Sequence, residues 1–312
     1  MRRSDASGFS QGWFPPDLRQ PRGRVFEGRL TATPGLDITT ADVTAGTTLS
    51  YTESEGNLIS LPWKPGKWEA FELPRTPAGV YEITKTFLAS SPWAIASGSN
   101  YDVFGFLGPN GPDLELGPAW SSDTARSAAG ALARRNGVRV LARDPSRVFL
   151  GTIRASGTNT IEDSAAKRFV WNMYNRRTRK LFRIETTGTW TYGTATWRQA
   201  NADAANQVEV VTGLNEDGVD VLLIVSVASS GGITDASVGI GIDSTTPSGL
   251  GIHPYNAIVA GGYAQTLVAQ LEHAALGYRA YKWCESSGGS GTASFYGENT
   301  YTTSGLSGNV LA

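Results

Sequence analysis

The feature that most constrains this fold is a repeated alternation of large apolar and polar side chains over short segments. The clearest instance is residues 278–284. As a strand, this segment has Arg279, Tyr281 and Trp283 on one face, and it has Tyr278, Ala280, Lys282 and Cys284 on the other. A period of two is typical of a strand with one buried face. Segments rich in Thr, Val, Tyr and Trp recur between Gly, Asn, Asp and Pro residues, which predicts an all-β fold of many short strands.

Turn signals divide the chain into three parts. Residues 1–24 contain three prolines and five arginines with little periodicity, and they are predicted to form an extended N-terminal arm. Residues 25–156 are predicted to form a first β-sandwich domain. Residues 157–312 are predicted to form a second β-sandwich or jelly-roll domain. Repeated strands without long intervening helices favour these architectures over an α/β fold.

One short helix is expected in the first domain, over residues 123–135. Ser122 is a suitable N-cap, and Asp123 suits the positive N-terminal end of a helix. Several alanines and Leu132 form an apolar stripe, two arginines follow, and Gly137 would end the helix. We expect this helix to cover one end of a sandwich or barrel.

Two hairpins and one close backbone approach are predicted in the second domain. Residues 208–212 and 219–227 flank a polar loop and are expected to pair, as are residues 278–285 and 293–297. The glycines in residues 239–241 lack the third glycine and the helix of a dinucleotide fingerprint. In a β context they predict a bulge or a close approach between strands.

The net charge of −1 hides an uneven distribution. Residues 126–183 carry fourteen basic and three acidic side chains, whereas residues 184–312 carry three basic and eleven acidic ones. Such a basic region can bind nucleic acid, join copies of the chain or simply solvate strand faces. Nucleic acid is the least expected partner, because the charge is not interleaved with aromatic and glycine-rich surface. A basic loop between two strand-like runs is the candidate subunit contact: Arg176, Arg177, Arg179 and Lys180.

The sequence indicates a protein made in a reducing cytoplasm without a membrane partner. No apolar run is long enough to cross a bilayer, and the N-terminal residues lack the apolar middle of a secretory signal. Cys284 is the single cysteine, so no disulfide can form within the chain.

No catalytic residue, metal ligand or cofactor is assigned from the sequence. The two histidines, His253 and His273, are predicted to have structural roles, and with one cysteine they are too few for a structural zinc site. The adjacent pair Glu162 and Asp163 would point to opposite faces of a strand. The protein is therefore expected not to be an enzyme.

Tryptophan is the residue type most suited to binding a ligand here. Trp63, Trp68 and Trp93 lie near loops rich in Pro and Gly, where they could stack on sugars or contact a partner. Packing is the alternative for these three residues, because tryptophan is mostly buried. Four others lie within alternating strands and are predicted to be core residues: Trp171, Trp190, Trp197 and Trp283.

The N-terminal arm holds a second group of candidate binding residues. Trp13 and Phe14 could anchor the arm on a neighbouring protein, together with Arg19 and Arg22. The alternative is a disordered leader with no binding role.

Several segments, in this order along the chain, resemble segments of virion proteins from tailed bacteriophages. They are residues 99–106 (SNYDVFGF), 114–120 (LELGPAW), 149–154 (FLGTIR), 162–176 (EDSAAKRFVWNMYNR) and 190–201 (WTYGTATWRQAN). The resemblance extends over residues 28–312 and excludes the N-terminal arm.

This resemblance implies a structural component of the particle, such as a tail fibre, a tail-tip protein or a head fibre. By analogy with fibre proteins we expect a homo-oligomer, with a trimer favoured. Attachment to other virion proteins is expected through the arm, which lies outside the resemblance, and a host-surface glycan is a candidate ligand. A capsid decoration protein is the alternative of the same class. The alternative of another class is a virion-associated polysaccharide-cleaving enzyme, which would need two converging carboxylates in a groove.

Overall fold

The computed structural model describes residues 24–216, 218–229, 234–247, 252–258, 265–289, 292–300 and 302–312. Trp13, Phe14, Arg19 and Arg22, the predicted anchors of the arm, lie outside these residues. No helix in the described part is long and apolar enough to cross a bilayer.

Within the described residues, the regular structure consists of strands and two single-turn 3-10 helices, Ala128–Gly130 and Ala200–Ala202. The strands in chain order are β1 (Gly28–Thr31), β2 (Val43–Gly46), β3 (Thr48–Glu53), β4 (Leu58–Lys64), β5 (Lys67–Glu72), β6 (Glu82–Thr86), β7 (Asn100–Gly108), β8 (Gly111–Ala119), β9 (Leu132–Arg135), β10 (Val138–Leu141), β11 (Asp144–Gly157), β12 (Thr160–Asp163), β13 (Lys167–Arg168), β14 (Val170–Asn172), β15 (Thr178–Ile184), β16 (Thr189–Tyr192), β17 (Arg198–Gln199), β18 (Gln207–Thr212), β19 (Gly218–Ser229), β20 (Thr234–Ile242), β21 (Ile252–Ile258), β22 (Gln265–Ala274), β23 (Gly277–Gly289), β24 (Ala293–Tyr296) and β25 (Gly305–Leu311).

The strands form one large sheet and three smaller ones. The large sheet runs in the order β21-β20-β23-β18-β13-β12-β11-β10-β9, with β7 paired to β11 and β8 paired to β7. A six-stranded sheet runs in the order β15-β25-β19-β24-β16, and β22 pairs with the other edge of β19. The remaining sheets are β1-β3-β6 and the β4-β5 hairpin. The prediction of an all-β fold of the sandwich type is confirmed.

Strand β11 links two hydrophobic cores because its alternating side chains face opposite ways. Val148 and Leu150 belong to the core built mainly from residues before 156, whereas Phe149 belongs to the core built mainly from later residues. Burying both faces removes β11 almost entirely from water along residues 148–155. The boundary near residue 157 stays a prediction.

The second core lies between the six-stranded sheet and the part of the large sheet formed by β18, β20 and β23. Every second residue of β19 from Val219 to Val227 is buried, as the period of two requires. Trp171 and Trp283 are fully buried in this core and Trp190 is nearly so, as predicted, while Trp197 is half-buried. Strand β23 departs from the prediction because Ala280 and Cys284 on its second face are also buried.

The predicted helix over residues 123–135 is wrong. Instead, β9 pairs with β10 around Asn136 and Gly137, both of which have positive φ. An Asn-Gly pair is the strongest local signal for a two-residue hairpin, and here it overrides the helical propensity of the alanines. Arg126 contributes to the same outcome, because it turns inward to bind Asp102 instead of lying on a helix surface.

Both predicted hairpins are also wrong. Strand β18 pairs with β13 and β23 in the large sheet, whereas β19 pairs with strands of the six-stranded sheet. In the same way, β23 belongs to the large sheet and β24 pairs with β16 and β19. In each case the chain crosses from one layer of the sandwich to the other, so both strands contribute to the same core without pairing.

The close approach predicted between strands at residues 239–241 is instead made by Gly241 with the turn after β20. A Cβ atom at this position would lie 2.2 Å from the carbonyl oxygen of Ser244, closer than any side chain permits. Glycine therefore lets the chain pass tightly at the end of β20.

Candidate functional site

An aromatic groove lies where three turns of the first part of the chain meet. Its walls come from the end of the β4–β5 hairpin, from Arg135 at the end of β9 and Asn136 after it, and from Asp144 to Ser146 at the start of β11. The groove has a volume of about 510 Å³. This size lies within the range of small-molecule pockets.

Trp63 presents its ring to this groove because of a β-bulge. The register of the β4–β5 pair shifts between Pro62 and Lys64, which leaves Trp63 without a directly opposed residue. A bulge re-aims a side chain away from the regular face of a strand. Trp63 is 45% exposed, and Lys64 Nζ lies 4.5 Å from its ring centroid.

Trp68 forms the inner wall of the groove and meets the start of the described chain. The Arg24 guanidinium carbon lies 4.5 Å from the Trp68 ring centroid, in a cation–π contact. Arg24 also donates a hydrogen bond to the Asn136 carbonyl oxygen. The last residue of the predicted arm therefore lies against this groove.

The opposite wall offers polar groups at the edge of the aromatic surface. Asp144 accepts hydrogen bonds from the backbone N–H of Ser146 at 3.0 Å and from its hydroxyl. The hydroxyl hydrogen bond from Ser146 holds the pKa of Asp144 below its ordinary value, so the carboxylate is ionised at neutral pH. An aromatic ring beside a carboxylate, an amide and a guanidinium can stack on a pyranose ring and bind its hydroxyl groups.

Trp93, the third candidate aromatic, is a core residue. It is buried in the first core, with its ring centroid 6.2 Å from that of Phe87. The sequence places it beside a loop rich in small residues, yet burial of its large apolar surface decides its position. Trp93 therefore does not contribute to the groove.

The four residues predicted to form a basic loop are separated by the structure. Arg176 and Arg177 precede β15, where Arg176 lies over the Trp171 ring and Arg177 pairs with Glu55. Arg179 and Lys180 lie within β15, so for them the loop prediction is wrong. Arg179 is buried and binds Asp163, whereas Lys180 is exposed on the outer face of the sheet.

Buried ion pairs engage several charged residues of both cores. Asp102 binds Arg126, and the same carboxylate accepts hydrogen bonds from Thr152 and the Trp120 indole. Burial raises the pKa of Asp102 above its ordinary value, while these donors oppose that shift.

Two further clusters also consist of a buried carboxylate bound by arginine side chains. Asp163 binds Arg168 at 3.0 Å and Arg179 at 3.1 Å. Glu285 is fully buried and accepts hydrogen bonds from Arg198 and from the Trp190 indole, each at 2.8 Å. Glu285 joins segments 87 and 95 residues apart in sequence, and Asp163 on β12 binds residues of β13 and β15, so these groups hold the scaffold together.

Other titratable side chains are engaged in structural contacts as well. His273 Nδ1 lies 3.1 Å from the Tyr281 hydroxyl, and burial lowers the pKa of the imidazole. Asp113 pairs with Lys85 and Glu115 pairs with Arg147, each at 2.6 Å. The side chain of His253 lies outside the part of the chain that the structure describes.

No family model and no curated protein matches this chain. Among solved structures, the chain is similar to the VP2 subviral particle of infectious bursal disease virus, with 10% identity and a TM-score of 0.25 over 69% of this chain and 61% of that chain. The Gt strain of the same virus gives 13% identity and a TM-score of 0.26 over 90% and 83% of the two chains.

A Cry1Da tryptic core variant of Bacillus thuringiensis gives 9% identity and a TM-score of 0.23 over 86% of this chain and 48% of that chain. The chain thus spans less than two thirds of the VP2 subviral-particle chain and of the Cry1Da chain. At these TM-scores the similarities do not establish a shared fold.

Proposed function

We propose that this chain is a structural, non-catalytic component of a tailed-bacteriophage particle, most specifically a tail fibre or tail-tip protein. In this proposal, the arm at residues 1–24 attaches it to other virion proteins and the β domains face outward. A capsid decoration protein or head fibre is the alternative site on the particle.

One observation supports the structural role more than any other. In the segments that resemble phage virion proteins, Asp102, Asp163 and Arg198 form buried ion pairs. Such residues specify how distant segments pack and leave little charge free for chemistry. The residues shared with phage virion proteins therefore serve the packing of the scaffold, and a rigid scaffold is what a structural component of a particle requires.

The position of Arg24 agrees with an arm that acts separately from the cores. Arg24 is half-buried and contacts Trp68 and Asn136 at the edge of the groove. In our proposal the arm contacts a neighbouring protein. We expect Trp13 and Phe14 to supply its anchors, because buried aromatic side chains carry much of the energy of an interface.

Labelling of particles tests this proposal. Antibody fragments raised against the purified chain should bind intact particles of the encoding virus, at the tail if the chain is a fibre and at the head if it decorates the capsid. Absence of the chain from purified particles, by both labelling and mass spectrometry, would overturn the proposal. Trp13→Ala/Phe14→Ala should reduce incorporation into particles, whereas the control Phe9→Ala in the same segment should not.

The aromatic groove is our candidate for contact with a host-surface glycan. Trp63 offers an exposed ring, and Asp144 and Asn136 stand at its edge as hydrogen-bonding groups. Binding of purified host polysaccharide to the full chain can be followed by tryptophan fluorescence and calorimetry. Trp63→Ala should abolish it, while Leu88→Ala, which removes an even more exposed apolar side chain outside the groove, should leave it unchanged. Equal binding by both variants would exclude the groove.

A further inference from the structure

Among the residues that the structure describes, the outward side of the six-stranded sheet carries exposed apolar side chains. Phe182, Ile224 and Val268 are 38%, 38% and 43% exposed on strands β15, β19 and β22. The solvent face of an antiparallel sheet is normally polar, and its alternation is otherwise respected here. An apolar patch on such a face indicates an interaction surface.

The strand register arranges this outer face in three rows that cross β15, β25, β19 and β22 in that order. The rows are Lys180-Asn309-Asp220-Glu272, then Phe182-Ser307-Leu222-Gln270, then Ile184-Gly305-Ile224-Val268. We call these twelve residues the outer face. Lys180 Nζ lies 4.5 Å from the Phe182 ring centroid, and the Gln270 amide donates to Asp220 at 3.1 Å, so neighbouring rows and columns are in contact.

The side chains of the outer face change in charge from the β15 edge to the β22 edge, and they differ in size between the two central strands. The β15 edge carries the cation Lys180, while the β19 and β22 columns carry the anions Asp220 and Glu272. The β25 column is small, with Gly305 and Ser307, and the adjacent β19 column is large. At position 305 a Cβ atom would lie 2.3 Å from the Arg183 carbonyl oxygen, so that gap is fixed.

We propose that the outer face binds the outer face of a second copy of this chain about a two-fold axis parallel to the strands. Rotation about this axis keeps each row at the same level and reverses the order of the four strands, so β15 of one copy faces β22 of the other. It places Lys180 over Glu272 of the second copy and Ile224 over Gly305 of the second copy. Every contact then occurs twice, as an isologous interface requires.

The geometry of packed sheets permits this arrangement. Two sheets pack about 10 Å apart with strand directions within about 30° of each other. Four strands about 4.8 Å apart and three rows about 7 Å apart give a face of roughly 400 Å² on each copy. The total of about 800 Å² is small for a specific interface, so we expect weak association of the free chain.

This two-fold contact goes beyond the proposed function and does not depend on it. It would pair single chains, or pair whole trimers if the chain forms the trimer that the phage resemblance implies. Its signature in either case is an association step that doubles the mass.

Charge reversal in the full chain tests the pairing. Lys180 and Glu272 lie three strands apart within one chain, about 14 Å, so they do not form an ion pair there. Lys180→Glu or Glu272→Lys should each weaken the doubling step by about tenfold, because like charges then face each other twice. The double variant Lys180→Glu/Glu272→Lys should restore it. Sedimentation equilibrium over a concentration series gives the masses.

A second pair of variants tests the apolar rows. Ile224→Glu should abolish the doubling step, whereas Leu88→Glu, at an apolar residue 55% exposed outside the outer face, should not affect it. Circular dichroism should show that all variants remain folded. A wild-type mass that does not double up to about 100 µM, a range that covers weak interfaces, would overturn the proposal. Failure of the double charge variant to recover would overturn it too. Neither result bears on whether particles contain the chain.

Discussion

Arg126 donates hydrogen bonds from Nε and Nη2 to the carboxylate of Asp102, while the same guanidinium donates to the carbonyl oxygen of Gly213 at 2.7 Å. One side chain thus ties the segment after β8 to β7 and to the end of β18. Its guanidinium carbon also lies 4.4 Å from the Trp120 ring centroid. Two strands of the large sheet and an irregular segment therefore meet at this ion pair.

Removal of Arg126 should destabilise the protein strongly. Arg126→Met leaves the buried Asp102 carboxylate without its cation, and loss of one partner of a buried pair costs about 3–5 kcal/mol. Urea unfolding measures the change. Arg126→Met/Asp102→Asn should cost less than the single Arg126→Met variant, because no charge is then left buried. Equal costs for the two variants would show that packing of the arginine stem dominates.

Trp93 and Trp63 should differ sharply in their effect on stability. Trp93→Ala should lower the free energy of unfolding by about 3–5 kcal/mol, because it leaves a cavity in the first core. Trp63→Ala should change it by no more than about 0.5 kcal/mol, because Trp63 is 45% exposed and belongs to neither core. Thermal and urea unfolding of the two variants provide the comparison. A large loss on Trp63→Ala would contradict the description of the groove.

The thiol of Cys284 should be unreactive in the folded protein. Burial raises its pKa to about 12, so almost no thiolate exists at neutral pH, and the side chain is fully buried. A thiol reagent such as DTNB should label it only at the rate of unfolding. Rapid labelling without denaturant would show that β23 opens locally. As the single cysteine, Cys284 gives an unambiguous readout.

Stability should fall as the pH drops below about 6.5 because of His273. Burial and the nearby Arg279 lower the imidazole pKa in the folded state, whereas the pKa in the unfolded chain is about 6.5. The unfolded state then binds the proton first, so the free energy of unfolding decreases with falling pH. Above that range His273 should contribute no pH dependence.

Unfolding curves between pH 5.5 and 7.5 measure this slope. His273→Gln should flatten it, and His253→Gln is the matched control because the chain has only these two histidines. An unchanged slope in His273→Gln would contradict the assignment. Lower pH is avoided because buried carboxyl groups with raised pKa values, such as Glu285, act in the opposite direction there.

The local signals that the sequence carries are uneven in quality. Alternation along β23 identified a strand correctly, and Trp171, Trp190 and Trp283 were recognisable as core residues. The helix prediction failed because Asn136 and Gly137 form a hairpin turn, a signal present in the sequence and outweighed there by the alanine stripe. In this case local information would have sufficed.

The aromatic groove could be predicted only in part. Trp63 and Trp68 were candidates because they flank a turn rich in Pro and Gly. Nothing local reveals that Asn136 and Asp144 complete the groove, since these residues come from separate turns. The bulge that exposes Trp63 depends on the register of β4 against β5, which is a property of the paired strands.

By itself, the sequence determined that this chain is built of strands, because a period of two and the distribution of Gly, Asn and Pro act over a few residues. Only the tertiary structure decided which strands pair. Both predicted hairpins cross between layers because burial of two facing apolar surfaces stabilises the sandwich more than pairing of neighbours in sequence does. The same choice sets Lys180 and Glu272 at opposite edges of one face, a relationship that no local pattern contains.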